Sequence, residues 1–339
     1  MKIPTKLLTL MLIALICTSL LSCKKKEKAE DPAPVQNEEI TEETPVQKEK
    51  YNDNNARPFA IMIDNDGKDS WPHSGLNDAF LIYEMYVEGS ATRLMALFKG
   101  VNTPKIGPVR SARHYYFDYA FEHDAIYTAF GWSPKAGAEL PKIGLDFING
   151  IKGSDNGYFW REQKYKGDYH SVYTSIENLT KAANDKGYAL TTDQKFMEYN
   201  DEFTPVTGGY SAQNIKIPYA GFYSVTYTFD PEKNSYKRVL NSSILHQSPD
   251  GVPYMPTNII LQKAKNYNLG DGSQRQNIET VGNGDAIYIT GGQAIDIKWS
   301  KASRQAKTIY KDLNGNEIKL NPAQTWINIV PPSMKITIE

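Results

Sequence analysis

The chain has 339 residues, with 38 basic and 39 acidic side chains and a formal net charge of -1. Residues 57–339 carry equal numbers of the two, which excludes a nucleic-acid-binding domain, because such a domain needs a basic excess to neutralise phosphates. Residues 57–339 also exceed the usual size of one hydrophobic core, so two domains are expected.

The first 22 residues are typical of a bacterial lipoprotein signal peptide. Lys2 and Lys6 precede an apolar run from Leu7, which ends in Leu20-Leu21-Ser22-Cys23. This run falls short of the ~20 apolar residues that a transmembrane helix needs. We therefore expect a lipobox, cleavage before Cys23 and lipidation of its thiol, which would anchor an extracytoplasmic protein to the cell membrane.

The residues next to the signal peptide predict a tether without reactive thiols. The second cysteine, Cys17, lies in the signal peptide, so the mature chain would have no disulfide, cysteine nucleophile or thiolate metal site. Residues 23–56 are rich in lysine, glutamate and proline and have few large apolar side chains. Such a segment cannot bury enough surface to fold, so we predict a disordered tether.

Residues 57–205 are predicted to form an N-terminal mixed α/β sandwich domain, in an α+β or α/β fold. Continuous apolar runs predict buried strands, alternation separated by a short turn predicts a hairpin, and apolar residues at helical spacing predict helices. The predicted elements are strands at 59–63, 125–130 and 147–151, a hairpin of 81–87 with 93–98, and helices at 112–122 and 176–186.

Arginines surround the predicted start of the first helix, for which Ser111 would be the N-cap. Arg110 and Arg113 lie at this helix end, and Arg93 lies on the hairpin. Arginine side chains beside free backbone N–H groups suit a phosphate or another anion. Alternatively, the carboxylates of Glu84, Glu88 or Asp124 neutralise these arginines as a structural network. Both interpretations stay open.

The loop after the strand at 125–130 contains Trp132. Open α/β sheets place ligands at such loops. The indole could stack on a sugar ring or close the core, and the sequence leaves both roles open.

Residues 210–339 are predicted to form a smaller antiparallel β-rich domain after a linker at 204–209. Its apolar runs are short and β-rich, and they alternate with Gly, Asn or Asp turns. The predicted hairpins are 224–229 with 235–240, 286–290 with 294–299, and 308–310 with 317–320, and the strand at 325–330 would close the sheet. We interpret Gly282-Asn283-Gly284 as a turn.

Several motifs of the N-terminal region resemble the YerB-like family of bacterial lipoproteins, which have two domains of unknown function. The resemblance covers essentially all of residues 57–335 and implies a two-domain architecture but no reaction. One departure is Tyr169-His170-Ser171, where family members tend to have Pro-His-Asn, so we expect little role for the polar side chain of this loop. The motifs are Arg57–Asn65, Tyr83-Glu84, Val87-Glu88-Gly89, Thr92-Arg93, Gly107–Arg113, Asp124-Ala125, Ser133-Pro134 and Phe159-Trp160-Arg161.

A looser similarity of element order links the chain to LytR-CpsA-Psr phosphotransferases, which hold a polyprenyl pyrophosphate with arginines and an acidic residue. Shared layout does not establish shared activity. We expect an envelope binding or interaction protein with an arginine-lined anion pocket and no cofactor. The alternative is an envelope phosphotransferase or hydrolase, in which Asp64 coordinates Mg²⁺ or acts as a base.

Both hypotheses share a set of candidate ligand-binding side chains. Under either one, the ligand is a cell-wall or phosphorylated compound, the membrane is contacted through the lipid on Cys23, and no resident metal site is expected. A protein partner stays unidentified. The candidate side chains are Arg93, Arg110, Arg113, Glu84, Glu88, Trp132 and Arg161.

Overall fold

The computed structural model describes residues 54–151 and 153–339. These residues belong to one compact unit. The predicted signal peptide, the lipidation site at Cys23 and most of the predicted tether lie outside the described residues.

Within the described residues, the first part of the chain contains three α-helices and seven strands. The helices are α1 (Tyr116–Glu122), α2 (Pro134–Glu139) and α3 (Ile176–Asp185), and short 3-10 turns cover Lys68–Ser70, Leu76–Asp78, Leu140–Lys142 and Gly153–Tyr158. The strands are β1 (Phe59–Asn65), β2 (Leu81–Tyr86), β3 (Thr92–Phe98), β4 (Ile126–Ala129), β5 (Phe147–Asn149), β6 (Trp160–Arg161) and β7 (Val172–Tyr173).

The second part contains only strands among its regular elements in the described residues. They are β8 (Tyr210–Ser211), β9 (Asn214–Ala220), β10 (Tyr223–Asp230), β11 (Ser235–Leu240), β12 (Ile244–Leu245), β13 (Asn258–Lys263), β14 (Asn266–Asn268), β15 (Gln276–Ile278), β16 (Gly282–Thr290), β17 (Gln293–Lys301), β18 (Ile309–Asp312), β19 (Thr325–Val330) and β20 (Thr337–Ile338).

One large mixed sheet runs through both parts of the chain. Its strand order is β18-β17-β16-β13-β19-β2-β3-β1-β4-β5. The junction is β19, which pairs in parallel with β13 on one side and with β2 on the other. Strands from both sides of the predicted linker therefore share one hydrogen-bonded sheet.

Both faces of this sheet are covered, so its strands are apolar on both sides. On one face, α1 packs through buried aromatic side chains that include Phe117 and Tyr119. On the other face, α3 covers the β1–β3 end with Leu179 and Ala182. A second sheet of order β12-β11-β10-β9-β20 packs on the remaining strands, with Tyr227 in that interface.

Strands far outnumber helices in the described residues, and α1, α2 and α3 have only 7, 6 and 10 residues. The predicted fold class is therefore confirmed only in part, since strands dominate the first part of the chain as well as the second. The prediction of α3 is confirmed, and Ser175 caps it by accepting a hydrogen bond from Asn178 N at 3.1 Å.

The helix predicted at 112–122 begins earlier in the chain than the observed helix. The observed α1 starts at Tyr116, and Ser111 does not cap it, because its hydroxyl instead donates to Phe130 O at 3.1 Å. The backbone before Tyr116 is held in bonds to its neighbours, from Arg110 N to Met62 O at 2.9 Å and from Ala112 N to Gly131 O at 2.9 Å. These tertiary bonds override the helical spacing of the side chains.

Most predicted hairpins are present, whereas two details of the second part are wrong. The pairs β2–β3, β10–β11 and β16–β17 are antiparallel as expected. However, β19 lies inside the large sheet rather than closing it, and its pairing is parallel. Gly282-Asn283-Gly284 is the first part of strand β16 and not a turn.

A buried ion pair joins the two parts of the chain. Arg238 on β11 donates from Nη2 to Glu84 Oε2 on β2 at 2.6 Å, and both side chains have no exposed surface. The other carboxylate oxygen of Glu84 accepts from Thr92 and Tyr223, each at 2.8 Å, and from Asn65 at 3.1 Å. Such full satisfaction is what makes a buried charge pair tolerable.

We predict that Glu84→Gln destabilises the protein strongly. The substitution leaves the guanidinium of Arg238 buried without a counter-charge, which costs about 3–5 kcal/mol of free energy of unfolding. Urea denaturation followed by tryptophan fluorescence measures this loss. The matched control is Asp285→Asn, which breaks the exposed pair with Lys298 and is expected to leave the urea midpoint nearly unchanged. Equal midpoints for the two variants would contradict the prediction.

Candidate functional site

Asp64 lies near the end of β1, and one of its carboxylate oxygens contacts two other side chains. Its Oδ2 is 2.6 Å from His170 Nδ1 and 2.9 Å from Arg110 Nε, and the carboxylate has no exposed surface. Burial alone would raise the pKa of Asp64, but the His170 hydrogen bond and the charges of Arg110 and Arg93 outweigh it and lower the pKa. Asp64 is therefore an ionised anchor.

Hydrogen bonds hold the two chain segments that carry Arg110 and His170. Asp64 N donates to Pro108 O at 2.8 Å, which lays the segment before α1 beside β1 and places Arg110 next to the end of the strand. The His170 backbone N donates to Asp168 Oδ1 at 2.8 Å. Both side chains thus approach Asp64 from segments that are themselves held by hydrogen bonds.

Arg110 is partly exposed, whereas His170 is buried. Arg110 retains 21% of its side-chain exposure; its Nε makes an ion-pair contact with Asp64 that lacks hydrogen-bond geometry, and within the described residues no hydrogen bond engages its two terminal nitrogens. His170 retains 3% of its side-chain exposure, and its Nε2 makes no hydrogen bond to a described residue. The guanidinium of Arg110 also lies 4.8 Å from the ring centre of Tyr169, which is half-exposed.

Arg161, another of the candidate ligand-binding residues, lies beside this group. Its Nη1 donates to Ser171 Oγ at 3.1 Å, directly after His170, and its guanidinium lies 5.1 Å from the ring centre of Phe130. Phe130 N in turn donates to Arg110 O at 3.0 Å. Asp64, Arg110, His170, Tyr169 and Arg161 are called the Asp64 cluster below.

Arg93 and Arg113 belong to a different, buried ion network. Arg113 Nε donates to Glu88 Oε1 at 2.7 Å, and Arg93 Nη2 lies 3.8 Å from Glu88 Oε2. Both arginines also donate to backbone carbonyls, at 2.6 Å from Arg93 to Ser111 O and at 2.8 Å from Arg113 to Ala112 O. For this pair, the structure favours the structural alternative with Glu88 as the neutralising carboxylate.

The other carboxylates considered for the arginines have different partners. Glu84 pairs with Arg238, on the opposite face of the sheet from Asp64. Asp124 pairs with Arg57 at 3.1 Å. Neither contacts Arg110 or Arg113, so their predicted neutralising role is wrong.

Trp132 is partly exposed, at 37%, and lies in the loop after β4 as expected. Its ring packs so closely on Gly137 that a Cβ there would lie 2.3 Å from Trp132 Cδ1. Its backbone forms a bridge with Ala112. These contacts place Trp132 on the loop between β4 and α2.

A chain of hydrogen bonds connects Asp64 to the buried ion pair. Arg238 Nη1 donates to His246 Nδ1 at 2.7 Å, and His246 Nε2 lies 2.7 Å from His73 Nδ1. His73 Nε2 then lies 2.6 Å from Asp64 O. Because arginine can only donate, His246 Nδ1 must accept, and each following ring accepts on one nitrogen and donates from the other. Both histidines are therefore neutral.

The chain matches two domains of one protein family. The N-terminal domain of the family described as "Protein of unknown function (DUF3048)" matches residues 43–189, and its C-terminal domain matches residues 215–327. "Putative lipoprotein YerB" of Bacillus subtilis is 30% identical over 331 residues, which cover 96% of each chain. The chain belongs to this YerB-like family.

A solved structure supports the fold of this YerB-like chain. The crystal structure of the Bacillus subtilis YerB protein superposes with a TM-score of 0.74 at 27% sequence identity, covering 86% of this chain and 97% of that one. Within the described residues, every helix is too short or too polar to cross a bilayer. The printed name of the Bacillus subtilis relative describes that protein as a putative lipoprotein.

The sequence analysis missed four of the side chains that matter most in this YerB-like protein. His170 was not among the candidate site residues, yet it lies against Asp64. Arg238 has a usable signal, because it shares the inward side of β11 with Tyr236 and Leu240. A charge at an inward strand position requires a buried partner. His73 and His246 have no local signal, since only the fold brings them together.

We predict that stability falls as the pH decreases from 6.5 to 4.5. Burial lowers the pKa of His73 to about 4 and places that of His246 well below its ordinary value. In this window the unfolded chain binds protons that the native state does not, so each such group removes up to about 1.4 kcal/mol per pH unit.

Urea denaturation at several pH values tests this slope. The stability that neutral His73 and His246 contribute is complete above pH 6.5 and is lost as the pH falls toward the folded-state pKa. A free energy of unfolding that stays constant between pH 6.5 and 4.5 would show that these rings are not held neutral. Far-UV circular dichroism at zero urea provides the control that the chain starts folded at each pH.

Proposed function

We propose that this protein is a lipid-anchored envelope lipoprotein that binds an anionic ligand at the Asp64 cluster. The observation that carries the proposal is the arrangement of Arg110. Its Nε lies 2.9 Å from an oxygen of a fully buried carboxylate, its side chain is 21% exposed, and its terminal nitrogens make no hydrogen bond to a described residue. A guanidinium oriented in this way can bind an oxyanion through two parallel hydrogen bonds without first losing side-chain freedom.

The site that we propose uses fewer arginines for ligand contacts than the pocket expected from the sequence. Arg93 and Arg113 are buried and bound to Glu88, so they supply background positive charge rather than direct ligand contacts. Arg161 is exposed and lies next to the His170 loop, where it can contact the outer part of a ligand. Phosphate groups of an envelope compound fit this set of donors.

The binding hypothesis is preferred here to the phosphotransferase or hydrolase alternative. That alternative gives Asp64 the role of a base or a Mg²⁺ ligand. Its pKa is lowered, so the carboxylate is a weak proton acceptor, and both His170 and Arg110 already occupy Oδ2. The contacts of Asp64 are better explained by orientation of these two side chains.

Envelope anchoring is the second component of the proposal. The predicted lipobox supplies the attachment point at Cys23, and the name of the Bacillus subtilis relative agrees with it.

We predict that Cys23→Ala moves the protein from the membrane fraction to a soluble fraction in the expressing bacterium. Immunoblots of fractionated cells and mass spectrometry of the amino terminus measure this. An unlipidated, uncleaved amino terminus in the native protein would contradict the anchoring.

We predict that Arg110→Gln weakens the binding of inorganic phosphate by at least about tenfold, because it removes the charge-assisted hydrogen bonds to the anion. Isothermal titration calorimetry of the full chain measures the dissociation constant. A soluble short-chain polyprenyl pyrophosphate, used as a second probe, is expected to show the same loss.

The matched control is Arg275→Gln. Arg275 pairs with Asp271 and is partly exposed to a similar degree as Arg110, with 25% side-chain exposure, but it does not contact the Asp64 cluster. Arg275→Gln removes the same positive charge from the protein as Arg110→Gln, so a general electrostatic effect would weaken phosphate binding in both variants. Unchanged phosphate binding in Arg110→Gln, with the fold intact, would remove Arg110 from the proposed site.

A further inference from the structure

Strands β13 and β16 pair along only part of their length. Their antiparallel register ends at Gln262 opposite Ala286, whereas β16 begins four residues earlier, at Gly282. The last residue of β13, Lys263, continues the pairing with β19 but not the pairing with β16. Residues 282–285 therefore have a strand partner in the register on the β17 side alone.

A concavity of about 350 Å³ lies on the β13 side of this stretch, and it is called the β16 cleft below. In a strand, the backbone N–H and C=O groups of successive residues point to opposite sides in turn, so part of the backbone of this stretch points into the cleft. A strand edge of this kind can pair with another extended chain. The lining residues are 263–265, Glu279, 281–285, Trp299 and Pro332.

Two glycines keep this strand edge free of side-chain bulk. A Cβ on Gly284 would lie 2.7 Å from Trp299 Nε1, and the same indole nitrogen donates to Lys263 O at 2.9 Å. Trp299 thus fixes the cleft wall at the point where β13 leaves β16. A Cβ on Gly282 would have no other atom within 4 Å, so this end of the strand borders open space.

The charges of the β16 cleft do not fully compensate one another. Glu279 pairs with Lys265 at 3.1 Å, and Asp285 pairs with Lys298 on the neighbouring strand. Lys263 also lines the cleft and has no ion pair with a described residue. The cleft therefore has one positive charge in excess.

The next strand of the sheet adds to this positive charge. Lys298 on β17 lies opposite Asp285 on one side and opposite Lys311 on β18 on the other. Residues directly opposite one another share a face of the sheet. Because Asp285 is neutralised by Lys298, an approaching ligand meets the charges of Lys263 and Lys311 without a local counter-charge.

We propose that the β16 cleft binds an extended, acidic peptide segment of a partner protein, which adds as a short strand beside residues 282–285. Backbone hydrogen bonds supply the affinity, and the lysines select carboxylate side chains. Four residues of strand edge span about 13 Å, so the contact is short. The proposal does not rest on anion binding at the Asp64 cluster, because β1 lies five strand positions from β16 in the sheet.

A sugar or a small anion fits the β16 cleft less well than a peptide. Trp299 is the aromatic residue of the lining and is only 3% exposed, so its ring offers no surface for a sugar to stack on. Lys263 is a single uncompensated cation and gives a small anion no second charged donor in the cleft. The strand edge instead presents donors and acceptors in the order that a peptide backbone matches.

The first test is fluorescence anisotropy of a labelled hexapeptide that alternates glutamate and valine, titrated with the full chain. We expect it to bind at least about tenfold more tightly than the hexapeptide that alternates lysine and valine, because like charges repel at the cleft. Equal affinity of the two peptides, or no binding of the acidic one, overturns the proposal.

A pair of methylated peptides tests the addition of a strand. The acidic hexapeptide is N-methylated either at its odd or at its even residues, so each version has lost the N–H donors of one edge. A strand added to β16 uses one edge only. One version should therefore bind at least about tenfold more weakly than the unmodified peptide, and the other should bind nearly as well. Equal affinity of the two versions overturns strand addition.

The variant Lys263→Gln tests the charge of the cleft. We expect it to weaken binding of the acidic hexapeptide by about threefold to fivefold, the effect of one partly exposed ion pair. The matched control is Lys216→Gln, which removes an exposed lysine on β9 outside the lining residues and should leave the affinity unchanged. Equal affinities of the two variants contradict the role of Lys263.

Hydrogen–deuterium exchange with the acidic hexapeptide locates its site. Amide exchange of residues 280–285 should slow on saturation with the peptide, and protection confined to other segments overturns the proposal. The variant Arg110→Gln should bind the peptide as the unmodified protein does, so failure of the anion site and failure of the β16 cleft give different results.

Discussion

The buried pair of Glu84 and Arg238 is the constraint on which the arrangement of the protein depends. Two opposite charges without solvent contact can persist only if they hold each other and if their remaining atoms are bonded. Glu84 comes from the large sheet and Arg238 from the five-stranded sheet, so the requirement fixes how these layers meet. Apolar packing alone would allow the two sheets to shift slightly against each other, whereas the ion pair between Glu84 and Arg238 does not.

The same constraint extends to the candidate site. Arg238 fixes the acceptor nitrogen of His246, and the direction of every later hydrogen bond follows as far as the main-chain carbonyl of Asp64. The carboxylate of Asp64 then orients Arg110 and His170. The position of the Asp64 cluster is therefore set by an interior network that involves both parts of the chain, although Asp64, Arg110 and His170 all belong to the first part.

The limits of the sequence analysis have physical causes. Hairpins such as β10–β11 and β16–β17 were predictable because turn chemistry and alternation are local properties. The parallel pairing of β19 was not, since its partners are distant in sequence and leave no local pattern. The start of α1 was wrong because backbone bonds to β1 and to the loop after β4 hold residues 108–112 extended.

The candidate site was predicted in part for similar reasons. Asp64 and Arg110 were recognised from residue type and position, and the structure brings them into contact. Arg93 and Arg113 share that residue type but lie against Glu88, a distinction that depends on which way side chains point in three dimensions. His170 could be found only from its contact, because its chemical role arises from the carboxylate beside it.

The pairing of β19 with β2 has a consequence for biogenesis. Thr325 lies opposite Leu81, so a hydrogen-bonding edge formed early in the chain waits for a segment that is synthesised much later. Contacts between such remote segments slow folding and leave intermediates with uncovered strand edges, which tend to aggregate. The sheet of a nascent chain of this design cannot be completed until translation is nearly finished, because β19 is the strand that joins β2 to β13.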